Sequence, residues 1–281
     1  MQKNEVTIVC FGAFGDVINC TPIAKHYKKE GKLVRWITKD KYANVLSNND
    51  YIDEILLLKD SKLGNVSLTK KFKSSHFAKQ NEIILFTAPY MSKFYDGTPR
   101  STLLDIIKDE TSEIKEWNCD FIPVINLSQN EIDEAKSFLE KVDKQKRIMI
   151  EFESFSDQTF LTENLLFKLF SEFEGNFILT GISKPAWFDS LKDLNTNSNF
   201  YFYNGSFKSN AEIYNNCDFF IGCCSGITCL TSSDYCVKSN SKRIECCRGP
   251  HWSSLTWDHN SANKQICYNR QQFEAAIKKW I

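Results

Sequence analysis

The sequence lacks an excess of either charge. Its 281 residues carry 35 Lys+Arg and 35 Asp+Glu, a formal net charge of zero with histidine neutral. A chain without a net field has nothing that recruits DNA, RNA or an anionic membrane, so no nucleic-acid partner is expected. No window approaches the roughly 18 uninterrupted apolar residues of a membrane-spanning helix, which leaves at most peripheral membrane contact. The first residues run straight into a strand without a signal-peptide pattern, and a cytoplasmic protein is the expectation. Internal repeats and low-complexity tracts are absent too. Zinc-module spacing is also missing. Eight of the eleven cysteines (Cys217, Cys223, Cys224, Cys229, Cys236, Cys246, Cys247, Cys267) lie in the last quarter, and none forms Cys-x-x-Cys. Neighbouring residues on a strand point to opposite faces, so the vicinal pairs Cys223-Cys224 and Cys246-Cys247 cannot each aim both thiols at one tetrahedral site. Buried, reduced, metal-free thiols are the expectation, with a metal site and disulfides as the alternatives. Two phosphate-binding fingerprints are incomplete as well. No loop has the third glycine of the dinucleotide motif, and none has the Lys-Ser/Thr that closes a P-loop.

What is present is a strand, a glycine loop and a helix near the start. Val6-Thr7-Ile8-Val9-Cys10-Phe11 runs into Gly12-Ala13-Phe14-Gly15-Asp16, and a helix follows through Thr21-Pro22. Gly12 and Gly15 let the backbone turn tightly and approach a ligand. Asp16 stands where a helix presents free N–H groups and a partial positive charge, which favours its ionised form. This is the carboxyl end of a first strand, the edge at which open α/β sheets bind ligands. Asp16 is therefore read as a catalytic acid–base group, or else as a plain helix cap.

The rest of the chain repeats this grammar twice. Strands are expected at 5–11, 33–38, 52–58, 82–86 and 120–124, with helices over 16–30 and Asp40–Ser47. Runs such as Ile55-Leu56-Leu57-Leu58 and Ile83-Ile84-Leu85-Phe86 suit a sheet covered on both faces. Residues 59–81 are basic and polar, with an acceptor-binding role or a solvated segment as the two readings. Tyr90, Lys93 and Arg100 follow the fourth strand and could face an acceptor. Ser128 and Glu131 form a capping box for a helix over 128–143. A second series then begins: strands 147–152, 176–181, 200–204, 218–223 and 242–247, helices 162–173, 185–194, 209–216 and 225–236, and a closing helix over Gln271–Trp280. The expected fold class is α/β. Two halves each carry their own parallel sheet, 1–135 and 136–281, with the boundary region near 125–146.

A second informative segment is Asp218-Phe219-Phe220-Ile221-Gly222-Cys223-Cys224-Ser225-Gly226-Ile227-Thr228. A buried strand ends in Ser-Gly and a helix starts at once. Ser225 can cap it, Gly226 leaves room, and the amides of Ser225, Gly226 and Ile227 form a candidate diphosphate site. Strand 176–181 ends in Thr180-Gly181. After strand 147–152, Ser154, Ser156, Gln158 and Thr159 can donate or accept neutral hydrogen bonds. Arg243, Arg248 and His251 are candidates to neutralise a diphosphate, against a surface loop anchored by Trp252 and Trp257.

In order, these segments resemble the bacterial heptosyltransferase-like glycosyltransferases, as a divergent member. That family has the Gly-Asp loop, a helix with T-x-P and a D-E-I strand; here stand Gly15-Asp16, Thr21-Pro22 and Asp53-Glu54-Ile55. Its late D-x-x-I-G-x-D-[ST]-G segment is matched by Asp218, Ile221, Gly222, Ser225 and Gly226. The chain departs from it at three points. Cys224 replaces the aspartate before Ser-Gly, Cys229 replaces the histidine after it, and no lysine follows strand 147–152.

The resemblance implies two Rossmann-like domains facing across a cleft, the GT-B architecture. It implies an N-terminal acceptor domain and a C-terminal nucleotide-sugar domain. It also implies inverting, metal-independent transfer of a hexosyl or heptosyl group to a glycan or lipid-linked glycan in polysaccharide biosynthesis, with no cofactor. Asp16 would be general base. Ser225, Gly226, Ile227, Thr228, Thr180, Gly181, Ser154, Gln158 and Arg248 would bind the donor, with Gly12 and Gly15 shaping the first loop. The three departures motivate an alternative: a catalytically silent nucleotide-sugar-binding or assembly subunit. A nucleotide-dependent oxidoreductase and a Cys-ligated metalloprotein are the remaining rivals.

Overall fold

The structure is a computed structural model that describes residues 4–58, 67, 82–86 (backbone path only), 122–153, 158–194, 197–237, 239–249 and 263–280. It is an α/β protein with two separate sheets, each wholly parallel. The described residues divide into two compact units between Asn126 and Leu127.

The first unit holds β1 (Glu5–Val9), α1 (Phe14–Lys29), β2 (Leu33–Lys39), a 3₁₀ helix (Asp40–Leu46), β3 (Glu54–Leu58) and β4 (Glu82–Phe86). Sheet order is β3-β2-β1-β4. The chain leaves β1 toward β2 and β3 and returns to β1's other side with β4. The loop after β1 therefore sits at a switch point, where neighbouring connections depart in opposite directions and leave a crevice at the carboxyl edge. Every residue of α1 from Asp16 to Tyr27 is buried. The helix carries an interior proline, Pro22, which has no N–H for the Ile18 carbonyl. Thr21 supplies the missing donor: its Oγ1 donates to Ile18 O at 2.7 Å and accepts from Val124 N at 2.7 Å. The Thr-Pro pair is thus a local solution to a helix-breaking residue. It also ties α1 to the irregular segment around Val124.

Three expectations need correction here. Residues 122–124 lie outside any strand. The segment after β2 is a 3₁₀ helix whose N-cap is Lys39 rather than Asp40. The apolar run of β3 is covered only in part, with Leu56 and Leu57 about 40 % exposed; among the described residues β3 pairs with β2 alone, at the edge of the sheet. The expectations for 59–81 (Ser67 apart), Tyr90, Lys93 and Arg100 fall outside the described residues, as do those for Ser154, Ser156, His251, Trp252 and Trp257.

The second unit holds α2 (Gln129–Leu139), β5 (Arg147–Glu151), α3 (Glu163–Glu172), β6 (Asn176–Thr180), a 3₁₀ helix (Ala186–Asp193), β7 (Asn199–Tyr203), α4 (Ser209–Asn215), β8 (Phe219–Cys223), α5 (Gly226–Leu230), β9 (Lys242–Cys246), β10 (Lys264–Cys267) and α6 (Arg270–Trp280). The capping box forms as read: Ser128 Oγ accepts from Glu131 N, and the Glu131 carboxylate accepts from Ser128 N at 2.7 Å. At the other end of α2 the buried Arg147 guanidinium donates to the carbonyls of Leu139, Val142 and Asp143 at 2.6–2.8 Å. It satisfies carbonyls that a helix end leaves open and fastens α2 to β5.

Sheet order is β10-β9-β8-β5-β6-β7. Ile148, Ile150, Phe177, Leu179, Ile221 and Ile244 pack one face against Leu165, Leu166, Leu169 and Phe170 of α3 and Phe273, Ala276 and Ile277 of α6. Burying each such side chain contributes about 1.5–3 kcal/mol. The residues between them on the strands, Met149 and Ile178, are buried as well, so both faces are covered and the strands read as continuous apolar runs. β10 carries the mixed sequence Lys-Gln-Ile-Cys and has no sequence signal of its own. The helix expected over 225–236 is shorter, because α5 ends at Leu230 and a series of turns follows. Here too the chain runs outward from β5 to β7 and returns on β5's other side with β8. The switch point of the second sheet lies between β5 and β8.

Candidate active site

The site in the first unit is built on the turn between β1 and α1. The helix begins two residues earlier than Asp16, at Phe14, with Ala13 as N-cap. Asp16 is the third helical residue and bends back, so that its Oδ2 accepts from the Ala13 N–H at 2.7 Å. It is 7 % exposed. This fold-back explains Gly12. A Cβ there would lie 2.7 Å from the Asp16 carboxyl carbon and closer still to its Cβ. The glycine is required by the aspartate's position. Phe14 packs edge-on against Tyr42 at 5.0 Å, which anchors the turn on the 3₁₀ helix.

The site in the second unit gathers at the carboxyl edge of β5, β6, β8 and β9. Ser225 is the N-cap of α5: its Oγ accepts from Ile227 N at 3.1 Å and Thr228 N at 3.5 Å. The Ile227 amide, read as a diphosphate donor, is thus turned to Ser225 in this structure. Ser225 Oγ also donates to Glu151 Oε1, and Thr228 Oγ1 lies 3.2 Å from Glu151 Oε2 while bonding the Cys223 carbonyl. Gly222 makes room for that arrangement, since a Cβ there would stand 2.8 Å from Thr228 Oγ1.

Around this core, Gln158 O accepts from Arg248 N at 2.9 Å and Thr159 O from Arg248 Nε at 3.1 Å. These bonds bring the loop after β9 onto the loop after β5 and hold Arg248, itself exposed, at the edge. Thr180 is buried and donates to Ile150 O at 3.4 Å; Gly181 N donates to Tyr203 O at 3.3 Å. A Cβ on Gly181 would make only ordinary contacts at 3.7 Å, so space does not demand glycine there.

Arg243 does not belong to this edge group. It is buried, 3.2 Å from Glu245 and bonded to the hydroxyls of Thr231 and Ser232 at 3.1 and 2.8 Å. Lys264, its register partner on β10, pairs with the same Glu245 at 3.3 Å.

Sequence reasoning passed over Glu151. It is buried at the end of β5, and desolvation pushes its carboxyl up to about 8 against the bonds from Ser225, Thr228 and Cys223 that favour the charged form. The available signal was a carboxylate closing the apolar run Ile148-Met149-Ile150. The ten described cysteines are all buried and free. Cys223, Cys246 and Cys267 stand in register across β8, β9 and β10. Cys224 faces Cys247, and that contact together with burial holds its thiol far above the usual range. Among the described residues no helix is long and apolar enough to cross a membrane.

At the level of sequence, no protein-family model and no curated protein matches the chain. Solved structures do match. A glycosyl transferase family 9 protein from Veillonella parvula superimposes with a TM-score of 0.64 at 12 % identity, over 100 % of this chain and 90 % of that one. E. coli heptosyltransferase WaaC with ADP gives 0.58 at 13 % identity, over 99 % and 100 %. E. coli ADP-heptose lps heptosyltransferase II gives 0.55 at 8 % identity, over 98 % and 99 %. The described residues have the two-sheet GT-B fold of these structures.

Proposed function

We propose that this protein is a glycosyltransferase that moves a sugar from a nucleoside-diphosphate donor to a hydroxyl of a glycan or lipid-linked glycan, with inversion and without a metal. The observation that carries this reading is the pair of switch-point turns, one presenting Asp16 and the other Ser225, on a fold shared with heptosyltransferases. One of those relatives was solved with ADP, which supports a nucleoside diphosphate as part of the donor.

In this reading the N-terminal part, 1–135 as read from the sequence, takes the acceptor and 136–281 takes the donor. The Asp16 carboxylate, oriented by the Ala13 N–H, removes the proton of the acceptor hydroxyl. The acceptor oxygen forms its bond to the anomeric carbon as the bond from that carbon to the diphosphate oxygen breaks. The electron pair leaves with the nucleoside diphosphate. Ser225, Gly226, Ile227 and Thr228 bind the phosphates. The exposed Arg248 adds a cation that its Thr159 anchor holds at the sheet edge. Thr180, Gly181 and Gln158 line the remainder of the donor site, and Ser154, outside the described residues, is assigned to it from the sequence alone.

A second reading is supported by Cys224 and Cys229, where the family has aspartate and histidine. A neutral, buried thiol at Cys224 neither carries charge nor shuttles a proton. In that reading the chain binds the nucleotide sugar without turning it over.

A thermal-shift panel of nucleoside diphosphates and sugar nucleotides tests both. A ligand that binds the native state raises the midpoint, by about 2.7 kcal/mol of stabilisation at a hundredfold excess over its dissociation constant. Binding with sugar release to an acceptor supports the transferase, and binding without turnover the silent reading. A flat panel would remove the donor site altogether.

A further inference from the structure

The hydroxyls beneath the Ser225 turn are short of one proton. Glu151 Oε1 receives the Ser225 hydroxyl, whose oxygen in turn accepts from the Ile227 and Thr228 amides. On the other side, Thr228 Oγ1 bonds the Cys223 carbonyl more closely than it approaches Glu151 Oε2 at 3.2 Å. A carbonyl only accepts, so the single Thr228 proton goes to it. Thr228 Oγ1 and Glu151 Oε2 are then two oxygens at hydrogen-bond distance with no proton between them, unless the carboxyl carries one. A neutral Glu151 with its proton on Oε2 satisfies every contact. A carboxylate would leave two lone pairs facing each other in a buried site, at the cost of an unmade bond.

The groups packed on Glu151 do not change this count. β8 presents the Cys223 thiol, itself raised by burial and donating to Glu153 O at 3.0 Å. β6 presents its register partner Thr180, whose hydroxyl is turned to Ile150 O. α5 and the turn present Thr228 and Ser225. The Thr228 backbone N–H also donates to the carboxyl, a bond that either protonation state accepts, and none of these groups carries the positive charge that would hold a buried carboxylate.

We infer that Glu151 is held as a neutral acid under the Ser225 turn, and that an anionic diphosphate binds this turn together with that proton. The inference rests on the donor reading above and adds a proton linkage to it. An ionised Glu151 would oppose the diphosphate charge through a poorly screened medium, while the neutral acid does not. Burial raises the carboxyl to about 8, so the binding form dominates below that pH and is lost as pH rises through it.

Isothermal titration tests this with ADP-glucose between about pH 6 and 9.5, where neither its diphosphate diester nor its base titrates, and with UDP-glucose and GDP-mannose up to about pH 8.5, below the range in which their uracil and guanine N–H groups ionise. The wild-type dissociation constant should be flat at low pH and rise by up to about tenfold per pH unit above the midpoint. In Glu151→Gln, which keeps the neutral shape, it should stay flat to the top of the range. Ser225→Ala removes a donor to the carboxylate, so its midpoint should move to higher pH, on top of weaker binding throughout. At about pH 8.5, buffers of different ionisation enthalpy should report proton uptake by the wild type and none by Glu151→Gln. A wild-type profile that is flat, one that Glu151→Gln reproduces, or a Ser225→Ala midpoint that does not rise would overturn the inference and leave the donor site standing. If none of the three ligands binds at any pH, the donor reading fails, and the inference with it.

Discussion

Asp16 and Glu151 are buried carboxyl groups beside equivalent turns, and they are held in different ways. Asp16 belongs to the helix that its turn starts, and its Oδ2 is fixed by a backbone N–H three residues back. An N–H only donates, so that oxygen has one role, acceptor. Glu151 belongs to a neighbouring strand and is met by two side-chain hydroxyls. A hydroxyl both donates and accepts, so one that has given its proton elsewhere, as Thr228 has to the Cys223 carbonyl, can take one from its partner. The first arrangement is local and of fixed polarity, suited to presenting an acceptor of protons. The second spans the sheet and is complete only while the carboxyl keeps its proton. The two supporting helices differ in the same sense. α1 is 16 residues long and buried, while α5 has only 5 and depends on its cap.

The sharpest way to break this comparison is Asp16→Asn, which keeps shape and removes the base. Turnover with the true donor and acceptor should fall by ~10²–10⁴ with donor affinity nearly unchanged. A variant that works at wild-type rate would reduce Asp16 to a helix-end residue. Gly12→Ala asks whether the fold-back itself matters. The new Cβ would collide with Asp16, and a displacement of that kind should lower kcat by ~10²-fold while the protein still melts cooperatively. Unchanged kcat would show that the bent-back position is not needed for catalysis.

Smaller effects probe what holds the turns. Thr21→Val strands the Ile18 carbonyl beside Pro22 and the Val124 N–H at once. A loss of about 2–4 kcal/mol in chemical denaturation is expected, at 1–3 kcal/mol for each buried unpaired group with some relaxation. A loss below ~0.5 kcal/mol would mean that other donors replace it. The mildest change is Ser225→Ala, which removes the cap of α5. Donor affinity should weaken by ~1 kcal/mol. A hundredfold loss would show that Ser225 contributes more than one hydrogen bond.

The order of strands and helices was legible because its signals are short-range. The Ser128–Glu131 capping box, the cap at Ser225 and the α/β alternation each depend on residues within a few positions of one another. The edge status of β3 was not legible, because an apolar run reads the same whether its strand has one neighbour or two. β10 escaped for the opposite reason: a short strand of mixed residues gains its place from β9 beside it. Arg243 looked like a ligand for phosphate because the sequence cannot show which strand partner meets a cation. Register puts Lys264 across from it, and both pair with Glu245.

Gly12 and Asp16 lie in one turn of chain, so local chemistry determined how they meet: the glycine, the helix start and the carboxylate that bends back follow from five consecutive residues. Glu151 and Ser225 are 74 residues apart. They meet because β8 returns to lie beside β5 instead of beside β7. That choice belongs to the whole sheet, whose two faces must both be buried, and no short window of sequence carries it. The tertiary structure alone decided that the serine capping α5 would rest on a buried acid.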